Sequence, residues 1–127
     1  MKKGCTGGIL LVDKERDSSS HEVVSLVRRV LGGRKGLKVG HAGTLDPFAT
    51  GLLLVMVGQA TKLSRYLTGE DKTYRAVMKL GEATDSLDLT GKVIRRVKKP
   101  LPSREEIEAV SKKFTGIIEQ TPPMYSA

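Results

Sequence analysis

Gly40-His41-Ala42-Gly43-Thr44-Leu45-Asp46-Pro47-Phe48-Ala49-Thr50-Gly51 sets two reactive side chains, His41 and Asp46, among residues whose main contribution is backbone shape. Gly40, Gly43 and Gly51 admit positive φ or a close backbone approach, and Pro47 fixes its own φ while steering Asp46 away from the helical region. The loop is therefore stiff and unusually shaped. Leu52-Leu53-Leu54-Val55-Met56-Val57 follows directly, an unbroken apolar run of strand length, which places Asp46 at the lip of a buried strand with its carboxylate facing a cleft. On residue types alone two readings of Asp46 stand. It is either a turn residue bonding its own backbone, as Asp-Pro and Gly-rich dipeptides often do, or a reactive carboxylate without a visible acid-base partner.

Working outward, Gly8 to Lys14 reads as a buried strand running into the polar turn Glu15-Arg16-Asp17-Ser18. Ser19 with Glu22 makes a capping-box pattern, and Val23, Val27, Val30 and Leu31 recur on one helical face until Gly32-Gly33 stops the helix. Those valines are expected to pack on a sheet. Arg28, Arg29, Arg34, Lys35 and Lys38 make the end of this element basic, which is either a solvated face or a phosphate-binding one.

Downstream of the apolar strand, Ala60, Leu63 and Leu67 predict a short amphipathic helix over about Gln59 to Leu67, ending at Gly69. Tyr74, Ala76, Met78 and Leu80 alternate with Thr73, Arg75, Val77 and Lys79 as in a strand, so Tyr74 reads first as an aromatic on a sheet. Glu82 to Gly91 is a polar loop whose acids lack the spacing of an EF-hand, and Lys92 to Val97 reads as a strand. Pro100-Leu101-Pro102 breaks it. Ser103 and Glu106 repeat the capping box before Ile107, Val110 and Phe114, Gly116 closes that helix, and Ile117 to Gln120 begins a further strand. This order lacks the alternation of a doubly wound sheet and predicts an α+β domain, with a mixed, mainly antiparallel sheet and helices packed on one face.

The 127 residues suit one domain, and 39% hydrophobic against 28% charged residues supply both a core and a soluble surface. A formal charge of +8 suggests a polyanionic partner. A single Cys5 excludes an internal disulfide framework, two histidines leave a zinc site short of ligands, and a reducing, cytoplasmic setting is inferred. No apolar run reaches the length of a membrane span, and Met1 to Gly8 lacks a signal-peptide core. Thr90-Gly91-Lys92-Val93 fails as a nucleotide-phosphate loop, and Ser18 to Ser20 beside His21 reads as helix capping rather than hydrolytic chemistry.

GHAGTLDPFATGLL from Gly40, with KTYRA from Lys72, resembles the catalytic and second motifs of the TruB family of pseudouridine synthases. The resemblance extends over nearly the whole chain, from the opening strand Gly8 to Lys14 with Ser19, through Thr84-Asp85, to Gln120 to Ala127. It implies a pseudouridine synthase catalytic domain whose later strands, third-motif arginine and C-terminal RNA-binding region lie past Ala127, so residues 1–127 are expected to be its N-terminal portion. It also implies Asp46 as the nucleophile that isomerises uridine in the T-arm of tRNA. Tyr74 would stack on the flipped base, His41 would contact the RNA loop, and Gly43, Thr44 and Leu45 would line the substrate site. Arg34, Lys35, Lys38, Lys72 and Arg75 would meet phosphates. No metal, cofactor or nucleotide is implied, and a monomer is expected. The resemblance extends to guide-RNA-dependent synthases of ribosomal RNA, and a basic tRNA-binding fragment without turnover is the non-enzymatic alternative. At one place the chain departs from the family. The opening turn usually reads Lys-Pro-x-Gly there, whereas Glu15 and Asp17 stand at the Pro and Gly places, so a differently shaped turn is expected.

Overall fold

Gly8 onward adopts the strand read from its apolar run, β1 (Gly8–Lys14), in a computed structural model that describes residues 7–33 and 36–121. Residues up to Thr73 form one unit and those from Tyr74 another. Helix α1 (Ser20–Val30) begins at the expected capping box: Glu22 N donates to Ser19 Oγ at 3.1 Å, and Ser19 N donates to the Glu22 carboxylate at 2.6 Å. Gly32 and Gly33 end it with φ of 81° and 54°, their N–H groups turned back to Arg29 and Arg28 carbonyls.

Two further strands complete the sheet of this unit, β2 (Val39–Ala42) and β3 (Gly51–Val57), in the order β1-β3-β2 with both pairings antiparallel. The register sets Leu10 opposite Val55, Val12 opposite Leu53, Lys14 opposite Gly51 and Val39 opposite Val57. Alternation then gathers these side chains on one face. There Val24, Val39, Leu53, Val55 and Val57 form the core, with Val12, Val23, Val27, Leu37 and Leu45 packed around it. Leu45 belongs to the loop that carries Asp46. The loop is therefore anchored in the core one residue before its carboxylate.

Three expectations for this unit need correction. The face of α1 that is buried is set by Val24, flanked by Val23 and Val27, while Val30 is 74% exposed, because the helix is rotated toward the sheet by about one position. Gly40 to Ala42, read as the start of the loop, instead belong with Val39 to a strand, since β3 offers a partner that their own glycine-interrupted pattern does not reveal. The helix expected over Gln59 to Leu67 is instead a 3₁₀ segment Gly58–Leu63 followed by one α-turn, α2 (Ser64–Leu67). Thr61 Oγ1 donates to Gly58 O at 2.8 Å, a local bond that favours the tighter i to i+3 winding.

In the second unit β4 (Glu82–Thr84) pairs antiparallel with β5 (Val93–Arg96), with an irregularity between Ala83 and Thr84. The acids of the connecting loop close the turn. Asp88 Oδ1 accepts from Ser86 Oγ, Thr90 N and Thr90 Oγ1, and Asp85 Oδ1 accepts from Lys92 N. Helix α3 (Arg104–Ser111) has the predicted Ser103–Glu106 box, and a 3₁₀ turn, Lys112–Phe114, follows. The α+β class and antiparallel pairing are as expected, but the strands read over Thr73 to Leu80 and from Ile117 do not form. Val77 is 99% exposed. Their alternation is real, yet no strand among the described residues satisfies their backbone groups.

Val55→Ala, at a fully buried site, is expected to cost about 2–3 kcal/mol, and Val30→Ala less than about 0.5 kcal/mol, both read from urea midpoints. Ser19 holds the Glu22 carboxyl below the usual glutamate range, first through its backbone N–H and then through its hydroxyl. A lowered folded pKa gives stability that is present above the unfolded value and lost as pH falls through the folded one. Glu22→Gln should therefore lower stability above about pH 4.5 and flatten the acid limb of a pH-stability profile, with variant and parent converging as pH falls through the folded pKa.

Candidate active site

Asp46 lies in the connection between β2 and β3, and its neighbours on both sides are tied to the β1–α1 region. On one side Ser20 Oγ, itself 3% exposed, accepts from Leu45 N at 3.0 Å and donates to Leu45 O at 3.0 Å. On the other side Pro47 O accepts from Asp17 N at 2.8 Å and from Lys14 Nζ at 3.2 Å. Lys14 is 1% exposed, and its remaining donors reach Glu15 O at 3.0 Å and Ser18 O at 2.6 Å. All three ammonium donors are thereby used on backbone carbonyls. A turn bond from Ala49 N to Asp46 O, 3.0 Å, completes the frame.

Within that frame the Asp46 carboxylate is exposed, and among the described residues no hydrogen bond or ion pair engages it. Of the two readings of Asp46, the turn residue that bonds its own backbone through its side chain is not the one observed. Gly43 and Gly51, at φ 90° and 117°, carry the reversals at either end of the loop, as glycine permits. A carboxylate that is held by its backbone and left unpaired at its oxygens can attack an electrophile without first breaking a bond to the protein.

His41 sits on β2, and its Nδ1 lies 2.6 Å from Gly43 O. A carbonyl only accepts, so Nδ1 carries the proton and Nε2 is the nitrogen left for another partner. Thr44 is exposed, and Lys72 lies beside Gly43: a Cβ built there would meet Lys72 Cε at 3.5 Å. The Lys72 ammonium donates to Thr68 O at 2.8 Å and Glu70 O at 2.7 Å, capping the turn after α2, which leaves one donor for a phosphate. Lys38 is exposed. Tyr74, 66% exposed, and Arg75 belong to the second unit, and Arg34 and Lys35 lie outside the described residues. Among the described residues no group of three or more His, Cys, Asp and Glu side chains is gathered for a metal.

Residues 28–127 match the model of the TruB family pseudouridylate synthase (N terminal domain). The chain belongs to this family. Among curated relatives it is 49% identical over 122 residues to the tRNA pseudouridine synthase B of Bordetella avium (strain 197N), covering 94% of the chain and 49% of that protein. It is 48% identical over 122 residues to the synthase of the same name from Geobacillus kaustophilus (strain HTA426), covering 94% of the chain and 41% of that protein. With the Chlamydia pneumoniae protein of that name the identity is 47% over 121 residues, covering 94% and 50%. The chain thus spans about half or less of the length of these TruB relatives.

Sequence reasoning named the TruB loop but missed what braces it. Lys14 and Ser20 passed as a strand end and a helix start. The available signal was parity: Lys14 follows Leu10 and Val12 at intervals of two on β1, which assigns it to the buried face. Asp17 has φ 65°, a left-handed conformation that glycine adopts most readily.

Lys14→Met should leave the Ser18 and Glu15 carbonyls without their Lys14 donor, remove one of the two donors to Pro47 O, and cost about 2–3 kcal/mol in urea unfolding. Asp46→Asn, at an exposed and unbonded position, should stay within about 0.5 kcal/mol of the parent. A larger loss in the second variant than in the first would contradict the bracing described here.

Proposed function

We propose that this chain carries the nucleophile-bearing part of a tRNA pseudouridine synthase, and that Asp46 performs the isomerisation of uridine to pseudouridine in the T-arm loop. The observation that supports this best is the Asp46 carboxylate, unpaired on a loop pinned at Leu45 and Pro47, in a member of the TruB family. Its named relatives are tRNA pseudouridine synthases.

In the proposed reaction the N1–C1′ bond of uridine breaks, the ring turns, and a C5–C1′ bond forms with loss of the C5 proton, while N1 gains one. Attack by the carboxylate on base or sugar holds the detached fragment as a covalent adduct through the rotation. The change is redox-neutral and calls for no metal or cofactor. A stacked base is out of reach, so the uridine is flipped out of the loop, with Tyr74 as its stacking partner and Gly43, Thr44 and Leu45 around the nucleophile. His41, through Nε2, contacts the displaced RNA loop. Lys38, Lys72 and Arg75, with Arg34 and Lys35, contribute cations toward phosphates, consistent with the +8 charge. The setting we infer is the cytoplasm; among the described residues no helix is long and apolar enough to cross a membrane.

Single-turnover tritium release from a T-arm stem-loop labelled at uridine C5 tests the mechanism. Asp46→Asn is expected to abolish release while RNA affinity stays within about threefold, a difference of under 1 kcal/mol. Retained turnover in Asp46→Asn would refute Asp46 as nucleophile. Salt-sensitive binding without release from either form would favour the non-catalytic tRNA-binding alternative.

A further inference from the structure

At the far end of β2 from the Asp46 loop, a groove runs along the outer edge of the sheet, lined by Arg28, Leu37, Lys38, Val39, Gly40 and Thr61 with the backbone of Gly36. Arg28 also borders a second hollow, formed with Arg29, Ser25, Gly32 and Gly33 at the end of α1. Among the described residues neither hollow has an acidic residue in its lining, and no carboxylate pairs with the exposed Arg28, Arg29 or Lys38. The position of Arg28 is partly fixed, since its guanidinium lies 3.4 Å from Val39 O.

Gly40 gives the groove its floor. Its φ is outside the left-handed region, and a Cβ built on it would meet nothing within 4 Å. Neither conformation nor internal packing therefore requires glycine here, although glycine weakens a strand. The missing side chain leaves the strand backbone open to close approach by an outside group. Two cations beside an edge strand suit a phosphodiester, which takes charge-assisted bonds from Arg and Lys and main-chain N–H donors. The Thr61 hydroxyl, already donated to Gly58 O, is not among those donors.

We propose that this groove receives a backbone phosphate of the RNA whose uridine is presented to Asp46. The proposal rests on the reading that the chain acts on RNA. Gly40 and Asp46 are six residues apart, so the groove lies within roughly 20 Å of the carboxylate along the chain. One short RNA segment spans both.

The test is a salt titration of T-arm stem-loop binding by the chain and its variants, with thermal melting of each. Arg28→Gln with Lys38→Gln is expected to weaken binding about tenfold at low salt and to flatten the log Kd against log salt slope by about 0.7–0.9 for each phosphate no longer neutralised. Gly40→Ala should weaken binding about threefold or more with a melting temperature equal to or above the parent's, which separates a blocked approach from a damaged fold. Lys112→Gln with Lys113→Gln, on the second unit, should leave the slope unchanged. An unchanged slope in the Arg28/Lys38 variant, an equal loss in the Lys112/Lys113 variant, or no binding by the parent chain would overturn the groove. Turnover retained by Asp46→Asn alongside a flattened slope in the Arg28/Lys38 variant would refute the nucleophile while upholding the groove.

Discussion

One ammonium group organises the first unit. Lys14 is almost wholly removed from solvent and has no carboxylate partner, yet its three donors end on carbonyls of Glu15, Ser18 and Pro47. Burying a charge this way is unfavourable unless every donor is satisfied, and the geometry that satisfies them fixes the β1–α1 turn and the Asp46 loop in one mutual position. Asp17 N and Ser20 Oγ add bonds to the same loop, so both neighbours of Asp46 have lost their freedom while its oxygens keep theirs. The result is preorganisation: backbone order is settled in folding and need not be supplied at the moment of reaction.

The two hollows beside Arg28 extend that logic to the proposed RNA substrate. A flipped nucleotide must be held by bonds elsewhere on its strand while its base leaves the stack, and cations at the end of α1 and the start of β2 lie on the element that leads into the Asp46 loop. In the proposed function, binding and chemistry are two ends of one short strand. His41 lies between them, its ring orientation set by Gly43 O.

Much of this was legible from residues alone, for definite reasons. β1 and β3 announced themselves because buried strands are continuous apolar runs, and α1 and α3 because Ser19–Glu22 and Ser103–Glu106 mark helix starts whatever lies beyond them. β2 was hidden because four residues containing Gly40 and His41 carry no period, and their strand character comes from β3. The reverse held over Thr73 to Leu80, where a clear period of two has no strand partner among the described residues and most of the stretch is exposed. At the site, the loop glycines were readable as backbone shape and Asp46 as a candidate carboxylate. Lys14 and Ser20 were not, because their role is defined by carbonyls far along the chain.

The bond between Lys14 and Pro47 spans 33 residues, and closing such a loop costs entropy that no local interaction recovers. The arrangement around Asp46 is therefore absent from any nascent β1–α1 hairpin and arises only when β3 has docked and drawn the loop back to its origin. Competence of the carboxylate becomes a cooperative property of the unit, so a lesion distant from Asp46, anywhere that loosens β3 against β1, acts on it as directly as a change within the loop.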